Sequence, residues 1–395
     1  MQGWVEVQEG TREAINGLLE RLLSEGVVDG LLVGLRTPDG RNAVPTLIRD
    51  VGLLERADPL APVLPRNGAT VLGRVTATGA TGRLGAVLRA CEVRTAVELS
   101  KVQQVVLDDV LLIGIDCLGT YSVESYARMM DEGRDPVEAA LANAREGRVA
   151  SLGEGEGYAF RPACTMCERP IPSTSEEEVG RRGGRKEATP TAGYRPDIAI
   201  GLLGVPNDQR LWISVRDEEL GRLLGVEEGG EPEARGEAVS ALVDARATER
   251  ERRFEALRER VHGPVSLLDE FATCIGCQNC MVVCPICYCK ECIFRTDIFD
   301  HPSARYWDWA ERKGGVRLPS DTVLFHLTRM LHMAHACVGC GLCTEACPVG
   351  IPVADIFRAV GERVQARFGY LPGRDPEEEM VIATFHEDEL ETLGR

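Results

Sequence analysis

Apolar positions recur at helical spacing early in the chain and then give way to short unbroken runs. In "TREAINGLLERLLSEG", Ile15, Leu18, Leu19, Leu22 and Leu23 fall on one face of a helix closed by Gly26. "GLLVGLR" follows as a strand. "GAVLRAC" and "DVLLIGIDC" are nearly continuous apolar runs, the pattern of strands buried on both faces, and each ends at a cysteine. Between them "EVRTAVELSKVQQ" fits a connecting helix, which makes a right-handed crossover. Parallel strands would then bring Cys91 and Cys117 to one C-terminal edge, where open α/β sheets build their sites. "DIAIGLLG" and "RLWISVR" read as further strands, and "DEELGRLLG" as a short helix.

Polar stretches break this pattern twice. "STSEEEVGRRGGRKEATPTAGYRP" reads as a loop-like excursion near 173–193 inside a domain, and "EEGGEPEARGE" precedes a long charged helix from about Ala238 to Val261. The expected organisation is an N-terminal α/β segment over 1–60, an α/β domain over 61–232 and a helical connector over 233–265. A cysteine-rich domain over 266–372 and a solvated acidic tail over 373–395 complete it.

Charge narrows the function. A formal net charge of -17 gives the wrong sign for steering toward nucleic acid or an anionic membrane surface. No window offers the roughly 20 apolar residues of a spanning helix, and "MQGWVEVQEGTREAINGLLERLL" carries no secretory pattern. The expected location is cytoplasmic, with proteins or small molecules as partners. Fifteen cysteines in such a chain point to metal ligands, redox groups or buried fillers rather than disulfides.

Eleven of these cysteines fall between Cys274 and Cys347. Cys274, Cys277, Cys280 and Cys284 with Pro285 form C-x2-C-x2-C-x3-C-P, and Cys337, Cys340, Cys343 and Cys347 with Pro348 repeat it. That run is the bacterial ferredoxin motif, in which the fourth cysteine ligates the other cluster. The crossed scheme assigns Cys274, Cys277, Cys280 and Cys347 to one 4Fe-4S cluster and Cys337, Cys340, Cys343 and Cys284 to a second. Zinc also uses C-x2-C pairs, yet it leaves the third evenly spaced cysteine of each run unexplained. Cys287, Cys289 and Cys292 are surplus: either packing thiols near the first cluster, or a further site completed by His301 or His326. His326, His332 and His335 lie on or near a helical stretch, "DTVLFHLTRMLHMAH", where a structural role is expected.

In the first half "PACTMCERP" supplies Cys164 and Cys167. With Cys91 and Cys117 they are enough for a third 4Fe-4S cluster; zinc and unligated buried thiols are the alternatives. "TGATGRLG" places Gly79, Gly82 and Gly85 at threes, but before a strand rather than after one, which excludes a dinucleotide fingerprint and leaves contact with a flavin phosphate.

"VLRACEVRTAVEL", "LLIGIDCLGTYS", "RPACTMCERP" and "YRPDIAIGLLG", in this order, resemble the beta subunits of coenzyme F-420-reducing hydrogenase and of formate dehydrogenase. "CPICYCKECIF" within the double ferredoxin is similar to the formate dehydrogenase branch, and the resemblance runs from about Gly68 to Gly361. It implies an α/β N-terminal flavin-type domain that binds FAD, plus an α-helical double-cluster ferredoxin-like C-terminal domain. Cys91, Cys117, Cys164 and Cys167 match the family's cysteines by position. Expected partners are a catalytic dehydrogenase or hydrogenase subunit, a heterodisulfide-reductase-like subunit, and a two-electron carrier, deazaflavin or nicotinamide. The rival reading is a non-flavin iron-sulfur adaptor.

Overall fold

The computed structural model describes residues 1–79, 81–151, 157–174, 180–182, 185–187 and 193–383. Ten strands are present among them: β1 (Gln2–Glu6), β2 (Gly30–Arg36), β3 (Ala43–Ile48), β4 (Leu84–Arg89), β5 (Val110–Ile115), β6 (Gly180–Arg182), β7 (Arg185–Glu187), β8 (Ile198–Gly201), β9 (Arg210–Val215) and β10 (Glu227–Glu228). Eight form one sheet in the order β10-β1-β9-β8-β5-β4-β2-β3, while β6 and β7 pair with each other. β2, β4, β5 and β8 run parallel at the centre. β3 closes one side antiparallel, and β9, β1 and β10 extend the other.

The apolar runs account for the centre. Ala86 and Leu88 of β4 and Leu112 of β5 pack beneath helices Gly68–Thr76 and Ala90–Lys101; Leu111, Ile113 and Ile115 face a second core built with helix Thr11–Ser24. Arg89 and Ile115 are register partners, so Cys91 and Cys117 leave the sheet at the same edge. Cys91 occupies the second position of its helix, which starts directly at the strand end.

Two expected boundaries change. No division falls at residue 60, because β1, β2 and β3 share the sheet with β4 and β5. The acidic tail does not begin at 373: Gly373 N–H donates to Glu98 Oε1 at 2.7 Å, and Tyr370 OH to Glu98 Oε2 at 2.6 Å. Residues 384–395 of that tail, and most of the excursion near 173–193, lie outside the described residues.

The connector is a helix of 28 residues, Glu233–Arg260, about 42 Å long at 1.5 Å per residue. Near its start Arg235 donates to both oxygens of buried Asp116, at 2.5 and 3.0 Å. Asp116 also accepts from Leu202 and Leu203 N–H, so one carboxylate ties the helix to the strand ends. Leu257, near its other end, enters the core of the cysteine-rich domain with Phe271, Phe294, Phe325 and Phe357. Among the described residues no strand follows β10, so this second domain is helical. No helix among them is long and apolar enough to cross a membrane.

Candidate metal centres

Cys164 lies in the short helix Pro162–Thr165. The Cys117 N–H donates to Pro170 O at 2.9 Å, which folds this loop back over the end of β5. Burial pushes the Cys117 thiol up to about 11, with nearby Cys164 and Cys167 adding to the rise. Cys91 is pushed well up by burial, then by Glu92, Cys117, Cys340 and Cys167. Cys164 goes the other way: burial raises it, but Arg161, a 3.1 Å contact with Thr120 Oγ1, and Arg246 together outweigh that and hold it low. The four N-terminal thiols are thus electrostatic neighbours, Cys164 buried and the other three half-buried, drawn from 77 residues of sequence between Cys91 and Cys167.

The two ferredoxin runs repeat each other in conformation as well as sequence. Gly276 and Gly339 have φ of 70° and 72°, and Gln278 and Gly341 have 58° and 75°. These left-handed turns curl each loop around its thiols, and a short helix follows in both, Asn279–Val282 and Leu342–Glu345. Cys284 stands among Cys337, Cys340 and Cys343, and Cys347 stands with Cys274 and Cys277 beside Cys280. Burial pushes Cys340 up to about 12 and Cys343 well above the ordinary thiol range. Thiols so disfavoured as anions become ligands only by giving their protons up to a cation that replaces them. Among the described residues no three His, Cys, Asp or Glu side chains converge tightly enough to hold a single metal ion.

Basic side chains serve these sulfurs. Arg329 Nη1 donates to Cys280 Sγ at 3.0 Å and Nη2 to Cys280 O at 2.9 Å. His326 Nε2 is 3.4 Å from Cys274 Sγ, and Ile351 N–H donates to Cys347 Sγ at 3.3 Å. The sequence reading missed Arg161, Arg246, Arg329 and Thr120. A signal existed for Arg329, which sits on the same apolar helix face as Phe325, Met330 and Met333.

The N-terminal and C-terminal thiols meet across the domain boundary. A Cβ on Gly341 would come 2.2 Å from Ala163 Cβ, so the second ferredoxin loop presses on the helix carrying Cys164. Arg358 passes under Gly339 and donates to Met166 O at 2.8 Å. Glu345 accepts from Val123 N–H at 3.3 Å. Cys340 thereby becomes a close charge neighbour of Cys91.

Residues 270–351 match the 4Fe-4S dicluster domain family. Over 380 residues, 92% of each chain, the sequence is 24% identical to a protein named F420-dependent formate dehydrogenase subunit beta from Methanocaldococcus jannaschii. Another, F420-dependent formate dehydrogenase 1 subunit beta from Methanococcus maripaludis, is 26% identical over 389 residues, 92% of this chain and 91% of that one. The chain is related to these beta subunits. Among solved structures, a chain of the F420-reducing [NiFe] hydrogenase complex from Methanosarcina barkeri aligns at a TM-score of 0.43 with 15% identity, covering 66% of this chain and 91% of that one. An alignment this loose carries no weight beyond its existence.

A narrow cleft of about 30 Å³ lies at the carboxyl ends of β4 and β5, lined by Leu32, Val63, Leu64, Val87, Leu88, Arg66 and Arg89 among others. Pro59, Arg89 and Ile115 also border an adjoining hollow of similar size whose wall includes Cys117. Gly79, Gly82 and Gly85 are elsewhere, at the N-terminal end of β4. Asp29 fills the space over Gly82 and accepts from Arg83 N–H at 2.8 Å, and Leu31 of β2 covers Gly85. At Gly82 and Gly85 the missing side chains admit Asp29 and Leu31, whereas Gly79, at φ 86°, has open space around it.

The surplus cysteines also find neighbours. Cys287 is pushed up to about 11 by burial, then by Cys284, with Cys289 and Cys292 nearby. Cys292 Sγ is 3.9 Å from Met281 Sδ. Neither histidine proposed to complete a site with them is turned that way. His326 stacks on Phe271 and meets Cys274, while His301 contacts Arg305 and Trp309.

Proposed function

We propose that this chain is the electron-transfer subunit of a formate dehydrogenase or F420-linked hydrogenase type of complex, working in the cytoplasm. It would hold three 4Fe-4S clusters, on Cys91, Cys117, Cys164 and Cys167, on Cys337, Cys340, Cys343 and Cys284, and on Cys274, Cys277, Cys280 and Cys347. The observation that supports this reading is the packing of the second ferredoxin loop on the helix that bears Cys164, Gly341 against Ala163, with Arg358 donating to Met166 O. Electron relays need centres close together, separated from water.

FAD is the cofactor that the resemblance implies, and the cleft, closed to about 30 Å³ in this structure, would have to widen to hold it. The cleft lies outside the carboxyl ends of parallel strands, its walls are mostly apolar, and Arg66 and Arg89 bring positive charge to its rim. A bound flavin supplies exchange between two-electron and one-electron chemistry, while the clusters supply one-electron steps. The chain's own groups position and insulate: Glu92 accepts from Gly68 N–H at 2.6 Å and fixes the start of the helix beside the cleft. Formate oxidation would belong to a partner subunit, with a deazaflavin as the two-electron carrier that the relatives' names supply.

Counting iron and flavin in anaerobically purified protein tests the reading. About twelve irons and one flavin per chain are expected from three four-iron clusters and one FAD. Eight irons with no flavin would replace it by the non-flavin adaptor. Cys164→Ala should remove about four irons, and unchanged iron would refute the N-terminal centre.

A further inference from the structure

Arg161 immediately precedes the Pro162–Thr165 helix and is 5% exposed. Its Nε donates to Thr120 Oγ1 at 2.8 Å, the hydroxyl that touches Cys164 Sγ, and its Nη2 reaches that sulfur at 3.8 Å. Nη1 is buried and has no hydrogen-bond partner. A buried guanidinium N–H left without an acceptor is costly and asks for an explanation. Cys164 and Cys91 from one thiol set and Cys340 from the other are its charge neighbours, together with Glu345. The loop carrying Cys340 reaches it because Gly341 lies against Ala163, two residues along from Arg161. Glu345 is already engaged with the Val123 N–H.

We propose that Arg161 is a positioning cation shared by two centres, raising the reduction potentials of the clusters on Cys91, Cys117, Cys164 and Cys167 and on Cys337, Cys340, Cys343 and Cys284. This inference rests on the functional reading above. Each reduction takes one electron from the external reductant and makes a centre more negative by one charge. A fixed guanidinium in a water-poor interior favours that reduced state, and its spare N–H can be satisfied by a cluster sulfide. The third centre is served by another cation, Arg329, which donates to Cys280 and has Cys284 and Cys343 as further charge neighbours.

The test uses the full chain, purified anaerobically and titrated with dithionite while the reduced centres are followed by electron paramagnetic resonance. Arg161→Gln should leave the iron content unchanged, move two of the three midpoint potentials to more negative values, and leave the third in place. Arg161→Lys should restore most of the shift. Full iron with all three potentials at wild-type values would overturn the proposal, as would an equal shift of all three. If Arg161→Gln loses iron, Arg161→Lys decides. Restored iron with near wild-type potentials supports the shared cation. Iron lost there as well assigns Arg161 to cluster assembly and overturns it. A wild-type chain without iron on the N-terminal thiols would instead overturn the functional reading itself.

Discussion

Arg329 lies on the inner face of helix Thr322–Met333, its guanidinium about as far from the ring of Phe325 (5.3 Å) as from that of Phe357 (5.2 Å). A charge enters such a place only when paired, and here the pairing is to a cysteine sulfur and carbonyl. Arg329→Gln should lower most the potential of the centre on Cys274, Cys277, Cys280 and Cys347, and to a smaller extent that of the centre holding Cys284 and Cys343, which also neighbour the guanidinium. It should also lower stability by about 1–3 kcal/mol, read from denaturant midpoints of iron-loaded protein. The contrast in legibility is physical. Cysteine ligands obey short spacings because one loop must aim several thiolates at one cluster, so eight of them could be read from the chain. The arginines serving those sulfurs come from distant segments, and only folding brings Arg329 to Cys280, 49 residues away in sequence.

At the scale of elements, the two left-handed glycines Gly314 and Gly341 differ in one respect. Gly314, at φ 74°, closes helix Ser303–Lys313 with open space around it, whereas Gly341, at φ 75°, presses on Ala163. Gly314→Ala should cost about 1–2 kcal/mol, the strain of a left-handed residue with a Cβ. Gly341→Ala should cost a further 1–3 kcal/mol or so from overpacking. Thermal unfolding of the two variants separates the terms, and equal losses would mean that the loop yields freely to the N-terminal domain. The buried strands β4, β5, β8 and β9 were readable as apolar runs, and helix Thr11–Ser24 by its period. β1 and β3 were not, since "QGWVE" and "AVPTLI" are short, mixed in polarity, and become strands only through partners supplied by the sheet. The helix bearing Cys91 started earlier than its polar residues suggested because Glu92 accepts from the Arg89 N–H and caps it at the strand end.

For the whole molecule, the two domains draw stability from different sources. The sheet has aliphatic cores on both faces, whereas the C-terminal core counts Cys280 among its buried members and six more cysteines at its margin. Removing iron with a chelator under reducing conditions should therefore loosen the helices between residues 264 and 368 and leave β4 and β5 intact. Hydrogen exchange followed by mass spectrometry checks this, and equal loss of protection in both halves would contradict it. The long charged connector helix was legible, but the packing of Gly341 on Ala163 was not, since no local pattern encodes which loops dock. One further consequence concerns synthesis. β1 emerges first from the ribosome, yet its neighbours in the sheet are β9 and β10, so Gly3 meets Glu228 only after everything between them has been made. At ribosomal speeds of about 5–20 residues per second that wait lasts roughly 10–45 s. Until then the first strand lacks both of its neighbours in the sheet, so the nascent chain carries an unpaired strand through nearly all the synthesis of its sheet.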